Sequence, residues 1–422
     1  MIPAIFKHIQ VLRNPWKDPQ EIHAMRELKL KRILHHAYAH VPFYRELFDK
    51  HNIKPDDIAG SEDLAKLPII TKKDILDIPI EKRTANSVDV KACIHDRTSG
   101  MTGLPLEILS SSSDAAHQSI LFLRAYIASS VFPWHRKMII STSRVALKDR
   151  SLYDSISRPL RKNICYLDPV KKWSREMQSW NPDILIGDIT VLKLSAEIMQ
   201  QQQIQVKLKK VISWGGMLDA YTQKYLESVY GCNVLDLYGC KETGIISWKC
   251  SACGGYHINS DSVIIETVKD GRLCRPGEAG EIVATTLDSY AMPFIRYSIG
   301  DTVILSDKPP VCGRSFPLMK KILGRNDDII LLKDGSKIPS QPFYHCIEAY
   351  GGIHRWQIVQ ESKERITLRI ETNSNYKNEY TDKIKRSFID ITHNQLAVQV
   401  TREKKIDFDC SKKYKTVISS IE

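Results

Sequence analysis

Five short apolar runs constrain this chain most: "MIISTS", "ICYLD", "DILIG", "KKVISWGG" and "CNVLDLYG", each ended by small or polar residues. Helical stretches such as "VLKLSAEIMQQQ" and "LDAYTQKYLESVYG" lie between them. This alternation predicts an α/β fold with a largely parallel sheet, in which ligands sit at the carboxyl ends of the strands. Upstream, residues 20–50 carry helical periodicity that breaks at "HVPFYREL", where Pro42 opens another helix. Thr71 in "PIITKKDIL" is the expected N-cap of a further one. From about residue 260 the texture changes to "SVIIETV", "GEIVATTL", "FIRYSIGD" and "DTVILSD", alternating strands with glycine turns. "FIRYSIGD" is read as a strand ending at Asp301, and the whole as a β-rich subdomain. After "LGRNDD" come strand, helix, strand, helix and strand signals, a small α+β unit. The expected architecture is a large N-terminal α/β domain with a parallel sheet and a β-rich subdomain, followed by that small unit.

At 422 residues the chain is too long for one minimal core, and 42% hydrophobic with 26% charged residues is the balance of a globular protein in water. Its longest apolar stretch, "SILFLRAYIASSVF", carries Arg124 and is too short to span a bilayer. The first residues, "MIPAIFKHIQVLRNPWKDPQ", lack the apolar core and cleavage site of a signal peptide, so a cytoplasmic location is expected. The formal net charge of +12 fits nucleic acid, a membrane surface or an anionic substrate. Lys and Arg are spread along the whole chain without an arginine-rich tail, which favours a phosphate-bearing substrate over nucleic acid.

The chain has 10 cysteines, most of them single and flanked by apolar residues, as in "KACIH", "NICYL" and "YHCIE". These read as small core residues rather than a disulfide framework. "WKCSACGGYHIN" differs: Cys250 and Cys253 have C-x2-C spacing and His257 follows four residues later. That is the spacing of a structural zinc site. Cys312, in the turn "KPPVCGRSFP", is the best fourth ligand, with Cys240 and Cys274 as competitors.

The loop "DRTSGMTGLPLEI" is dense in hydroxyls and glycines, a composition that offers donors to an anion. It lacks the G-x-x-x-x-G-K-[ST] pattern, so it is not a Walker loop. Three later stretches give it meaning: "DLYGCKETG", "FIRYSIGD" and "LGRNDDII". In this order the four motifs resemble the adenylate-forming ligase superfamily, with its Thr/Ser/Gly loop, Y-G-x-[ST]-E, Y-x-x-G-D and G-R-x-D-D stretches. "HAYAHVPFYRELF", "LPIITKKDI", "PGEAGEIVATTLDSYAMPFIRYSIGD" and "CGRSFPLMKKILGRNDDII" are similar to its phenylacetate–CoA ligase and CapK-like branch. The resemblance runs from about residue 20 to the end.

The resemblance implies roles residue by residue. Thr98, Ser99, Gly100, Thr102 and Gly103 would cradle the ATP phosphates, with Thr98 also counted as catalytic. Glu242 would hold Mg²⁺. Tyr238 would pack on adenine, with Asp236, Gly239 and the backbone of Gly215 and Gly216 around it. Asp301 would accept from the ribose hydroxyls, and Arg325 would lie near ribose and phosphate. Asp327 would be the hinge between a domain of residues 1–323 and a mobile lid of residues 324–422. Within "SKKYKTVIS", Lys413 would be the catalytic lysine. Cys250, Cys253, His257 and Cys312 match a metal site that occurs in this branch.

The chain also departs from the pattern. Met101 replaces a hydroxyl, Leu104 stands where many relatives have Lys, Met217 where Glu is frequent, and Lys412 where Gly is usual. The implied reaction is ATP-dependent and AMP-forming: a carboxylic acid and ATP·Mg give an acyl-adenylate and pyrophosphate, then CoA or an amine takes the acyl group. An adenylyltransferase that leaves AMP on its substrate and a zinc-stabilised nucleic-acid-binding protein are the alternatives. A homodimer is compatible with the sequence. The acid pocket is expected around "IGDIT", Trp214 and the Gly239 backbone.

Overall fold

The computed structural model describes residues 10–98, 106–141, 158–215, 218, 220–322, 329–339, 341–372, 374–404, 406, 417–419 and 421. The N-terminal layer is helical. A helix over Pro19–His40 begins at Asp18, whose carboxylate accepts from the Gln20 amide, and Pro19 occupies its first turn. It stops at Val41 because Pro42 opens the next helix, Pro42–Lys50. Thr71 caps Lys72–Leu76 in a reciprocal box with Asp74, as expected.

A two-stranded ribbon, β1 (Ile94–Arg97) and β2 (Glu107–Ser110), flanks the hydroxyl-rich loop. The expected strands then appear as β3 (Lys137–Ser141), β4 (Arg161–Cys165), β5 (Ile184–Asp188), β6 (Lys210–Trp214) and β7 (Val234–Cys240). Neighbours among β4-β3-β5-β6-β7 all pair in parallel. Helices Val170–Trp180, Ile189–Gln201 and Ala220–Tyr230 supply crossovers. Strand β5 is buried along its whole length, which is why its sequence is a continuous apolar run rather than an alternating one.

From β7 the sheet turns antiparallel through β8 (Gly244–Lys249), β9 (Tyr256–Ile258), β10 (Val263–Lys269), β11 (Arg272–Leu273), β12 (Ala279–Thr286), β13 (Tyr297–Leu305) and β14 (Leu318–Ile322). Among the described residues the sheet order is β11-β10-β12-β13-β14-β9-β8-β7-β6-β5-β3-β4. One expectation needs correction here. "FIRYSIGD" and "DTVILSD" do not form separate strands, and Asp301 does not end one: β13 runs through it to Leu305. The register against β12 slips between Thr302, opposite Glu281, and Ser298, opposite Val283. The extra residues form a bulge that contains Gly300 at φ +82, a left-handed backbone that glycine adopts without strain.

Residues beyond 328 build a separate sheet and core. β15 (Ile329–Leu331) pairs with β16 (Lys337–Pro339), and helix Gln341–Glu348 follows. β17 (Ile353–Ser362), β18 (Arg365–Thr372), β19 (Ala397–Glu403) and β20 (Val417–Ser419) form a sheet in the order β19-β18-β17-β20. Its core contains Phe343, Trp356, Ile358, Leu368 and Phe388, and Cys165 and Leu167 at the end of β4 pack into it.

Arg124 gives up water entirely. On helix Ser112–Ala128 it faces inward and makes a two-pronged pair with Asp261, at 2.7 and 2.9 Å. Asn14 also donates to Asp261 at 2.7 Å, and the guanidinium lies 4.8 Å from the Phe316 ring centroid. A charge buried this deeply is tolerable only when it is paired and hydrogen-bonded, as both terminal nitrogens of the guanidinium are here.

Candidate functional site

The carboxyl ends of β5, β6 and β7 carry Asp188, Trp214 with Gly215, and Tyr238 to Cys240, so the parallel sheet puts them on one edge. Gly215 has φ +81, and a methyl group added there would lie 2.5 Å from Asp188 Oδ2. Only glycine lets this turn pass so close to the carboxylate.

Between β7 and β8 the chain reverses through Lys241, Glu242 and Thr243. A methyl on Gly239 would come within 2.1 Å of the Gly244 carbonyl, so the two glycines fix a very tight hairpin. Gln118 supports it from helix Ser112–Ala128, donating to the Thr243 carbonyl and accepting from the Ile245 amide. Glu242 is therefore held at the tip by backbone geometry, half-buried rather than on a free loop.

Two tyrosine hydroxyls lock this hairpin to β13. Tyr238 Oη donates to Asp301 Oδ2 at 2.9 Å, and Tyr297 Oη donates to Glu242 Oε1 at 3.2 Å. Each motif thus lends a tyrosine to the other's carboxylate. The bulge at Gly300 sits where β13 presents Asp301 to Tyr238.

Asp236 has a different setting from its neighbours. It is 2% exposed, and its two oxygens accept from Ser213 Oγ at 2.5 Å and Tyr256 Oη at 2.6 Å. Burial pushes its carboxyl up to about 6, against the pull of those hydroxyls. The carboxylate faces inward and braces β6, β7 and β9, instead of opening toward an adenine edge as the sequence suggested.

Thr98, at the end of the described ribbon, exchanges hydrogen bonds with Leu106: Thr98 N to the Leu106 carbonyl at 2.9 Å, and Leu106 N to Thr98 Oγ1 at 2.8 Å. Lys72 Nζ also donates to Thr98 Oγ1, at 3.1 Å. Lys241 Nζ donates to the carbonyl of Arg97. Sequence reasoning missed both lysines, as well as Tyr297 and Gln118. For Lys241 the signal was present, since it occupies the hydroxyl position of Y-G-x-[ST]-E next to Glu242. Lys72 lies far off in sequence and carried no such signal. Ser99, Gly100, Met101, Thr102, Gly103, Leu104, Gly216, Met217, Arg325, Asp327, Lys412 and Lys413 lie outside the described residues.

A second cluster lies in the turn between β8 and β9, on β9 and in the turn before β14. The ligand atoms of Cys250, Cys253, His257 and Cys312 all fall within 4.8 Å of one another. The sequence-level competitors are elsewhere: Cys240 contacts Thr243 Oγ1, and Cys274 contacts the Ala279 carbonyl. Cys250 heads a turn in which its amide donates to Gly255 O and its carbonyl accepts from Gly254 N. His257 Nδ1 lies 3.1 Å from the Phe316 carbonyl, which holds the proton on Nδ1 and directs Nε2 at the thiols. Three sulfurs and an imidazole converging this closely form a donor set suited to a tetrahedral thiophilic ion; bonds of about 2.0–2.3 Å set ligand atoms roughly 3.5–4 Å apart. The cluster touches the core through Trp248, whose ring packs on His257 and Phe316.

The chain is similar to several known proteins. The family described as the CapK C-terminal domain matches residues 330–420. Phenylacetate-coenzyme A ligase of Escherichia coli (strain K12) is 27% identical over 336 residues, covering 76% of this chain and 75% of the relative. Its counterpart from Aromatoleum evansii is 28% identical over 334 residues, covering 76% and 74%. Protein CapK of Staphylococcus aureus is 20% identical over 382 residues, 81% of this chain and 82% of that protein. Among solved structures, 2-hydroxyisobutyryl-CoA ligase in complex with 2-HIB-AMP and CoA superposes with a TM-score of 0.68 at 18% identity, over 96% of this chain and 91% of that one, a likeness of fold. Over about three quarters of its length the chain is similar to phenylacetate-coenzyme A ligases, and its residues 330–420 match the CapK C-terminal domain.

Proposed function

We propose that this protein is an AMP-forming acid–CoA ligase that activates a carboxylic acid with ATP. The observation that carries the reading is the double tyrosine lock at the carboxyl edge of the sheet. It holds one carboxylate, Asp301, 2.9 Å from Tyr238, and ties a second, Glu242, to Tyr297. In this reading Asp301 accepts from the ribose hydroxyls and Tyr238 lies against adenine, while Asp236 acts beneath them as a positioning group. Glu242 suits Mg²⁺, a hard cation that takes carboxylate oxygen. Bound there, the ion supplies neutralisation of phosphate charge.

Acyl-adenylate formation is an in-line displacement. A carboxylate oxygen bonds to the α-phosphorus, the bond to the bridging oxygen breaks, and pyrophosphate leaves with the electron pair. The chain's task is orientation and charge stabilisation. Thr98 and the residues 99–103 would hold the leaving phosphates. Lys413 would face the developing charge on the α-phosphate and the acid. Residues 324–422 would then swing about Asp327 to admit CoA, whose thiol takes the acyl group and releases AMP. The convergence of Cys250, Cys253, His257 and Cys312 supports a structural Zn²⁺, with every ligand from the protein and no open position for substrate.

The test is pyrophosphate release from ATP across a panel of aryl, short aliphatic, amino and sugar acids. Release that depends on one class of acid supports the reading. ATP turnover indifferent to every acid, with AMP retained covalently on another substrate, opposes it.

A further inference from the structure

We propose that Lys241 is a phosphate-contacting residue, which meets the charge of the nucleotide's polyphosphate end and of departing pyrophosphate. This rests on the ATP-dependent reading above. The loop segment "TSGMTGLP", residues 98–105, contains no Lys, Arg or His. Hydroxyls and amides orient a polyphosphate but neutralise none of its charge, and Mg²⁺ leaves Mg·ATP still anionic. Beside Arg97, exposed at the stem of the loop, further positive charge must come from neighbouring elements.

Lys241 is placed to be one. It is exposed at the tip of the β7–β8 hairpin, and its ammonium donates to the Arg97 carbonyl at the stem of that loop. The adjoining residue, Thr98, receives the second cation, Lys72, at 3.1 Å. The hairpin does not wander: the Gly239–Gly244 approach leaves no room for a methyl, and Gln118 braces the tip. The backbone of Lys241 is thus fixed, while its four-carbon stem lets the ammonium move from a carbonyl to a phosphate oxygen. Glu242 follows directly in sequence, so the carboxylate suited to Mg²⁺ and the lysine lie on the same rigid turn. As the bond from the α-phosphorus to the bridging oxygen breaks, its electron pair goes to pyrophosphate. Lys241 stays protonated and opposes that increase in negative charge.

The experiment is calorimetric binding of Mg·ATP, inorganic tripolyphosphate and AMP at low and moderate salt. Lys241→Met should weaken Mg·ATP and tripolyphosphate about tenfold and AMP by less than about twofold, with the difference shrinking as salt rises. Lys241→Arg should stay within about threefold of wild type. Lys269→Met, which removes an exposed charge from β10, should alter none of them beyond about twofold. Unchanged Mg·ATP affinity in Lys241→Met overturns the proposal. So does an equal loss for AMP, or an equal effect of Lys269→Met. A wild-type protein that binds neither Mg·ATP nor AMP refutes the nucleotide reading itself, so the two failures are distinguishable.

Discussion

Asp301 offers the sharpest test of the proposed nucleotide site. Asp301→Asn keeps size and shape but removes the charge and one acceptor. Tyr238 Oη, now 2.9 Å from Oδ2, keeps a partner if the amide oxygen takes that place. The ribose hydroxyls lose their charged acceptor, at about 1.5–3 kcal/mol for hydrogen bonds to an ionised group. That is roughly a 10- to 150-fold loss in affinity, using about 1.4 kcal/mol per decade. Both ATP and AMP contain the ribose, so calorimetry should show the same loss for both. Tyr238→Phe removes a neutral donor and leaves the carboxylate, so it should cost about 0.5–1.5 kcal/mol. The double variant should lose less than the sum, because the two groups share one hydrogen bond. Unchanged AMP affinity in Asp301→Asn, with an unaltered melting temperature, would refute the assignment of this strand to the ribose.

Freshly purified protein should contain close to one equivalent of zinc, and His257→Ala or Cys250→Ser should lower both the metal content and the stability, by at least about 3 kcal/mol, because structural zinc contributes directly to folding; metal analysis and denaturant unfolding measure the two. Asp236 rises from an ordinary 3.8 to about 6 on folding, so the native state holds its proton more tightly, and stability from this group falls as pH rises from about 4 to 6. Asp236→Asn should flatten that part of a stability–pH curve; an unchanged slope would mean the carboxyl is not raised. Lys413→Ala should slow pyrophosphate formation at least about a hundredfold, roughly 2.7 kcal/mol of barrier, and leave acyl transfer from a synthetic acyl-adenylate nearly intact. Single-turnover assays of the two half-reactions separate these effects.

The parallel half of the sheet was legible because its strands are buried on both faces and their sequences are continuous apolar runs, as in β5. The thiol–imidazole quartet was legible for a different reason: C-x2-C and a nearby histidine are a local pattern, and a cysteine in a glycine turn could be matched to them. What escaped the sequence depends on long-range pairing. Asp301 reads as the end of a strand, yet β12 pairs on both sides of Gly300 and Asp301 and makes them a bulge within one longer strand. Asp236 reads as a site residue from its motif, whereas Ser213 and Tyr256, on other strands, draw it inward. Arg124 reads as a break in an apolar stretch, and its partner Asp261 is 137 residues away. Lys72 reaches Thr98 across 26 residues, from a helix whose periodicity gives no hint of that contact. Local chemistry therefore predicted the elements and the convergence of three cysteines with a histidine, and tertiary pairing determined which carboxylates are drawn inward.

The central claim is that the acid's own oxygen attacks the α-phosphorus of ATP. Oxygen-18 transfer tests it most directly. An acid that supports pyrophosphate release, labelled with oxygen-18 in its carboxylate, is incubated with the enzyme, Mg·ATP and CoA, and the products are weighed by mass spectrometry. Passage through an acyl-adenylate leaves one labelled oxygen in each AMP and one in the acyl thioester. Unlabelled AMP, or ADP in its place, would contradict the account.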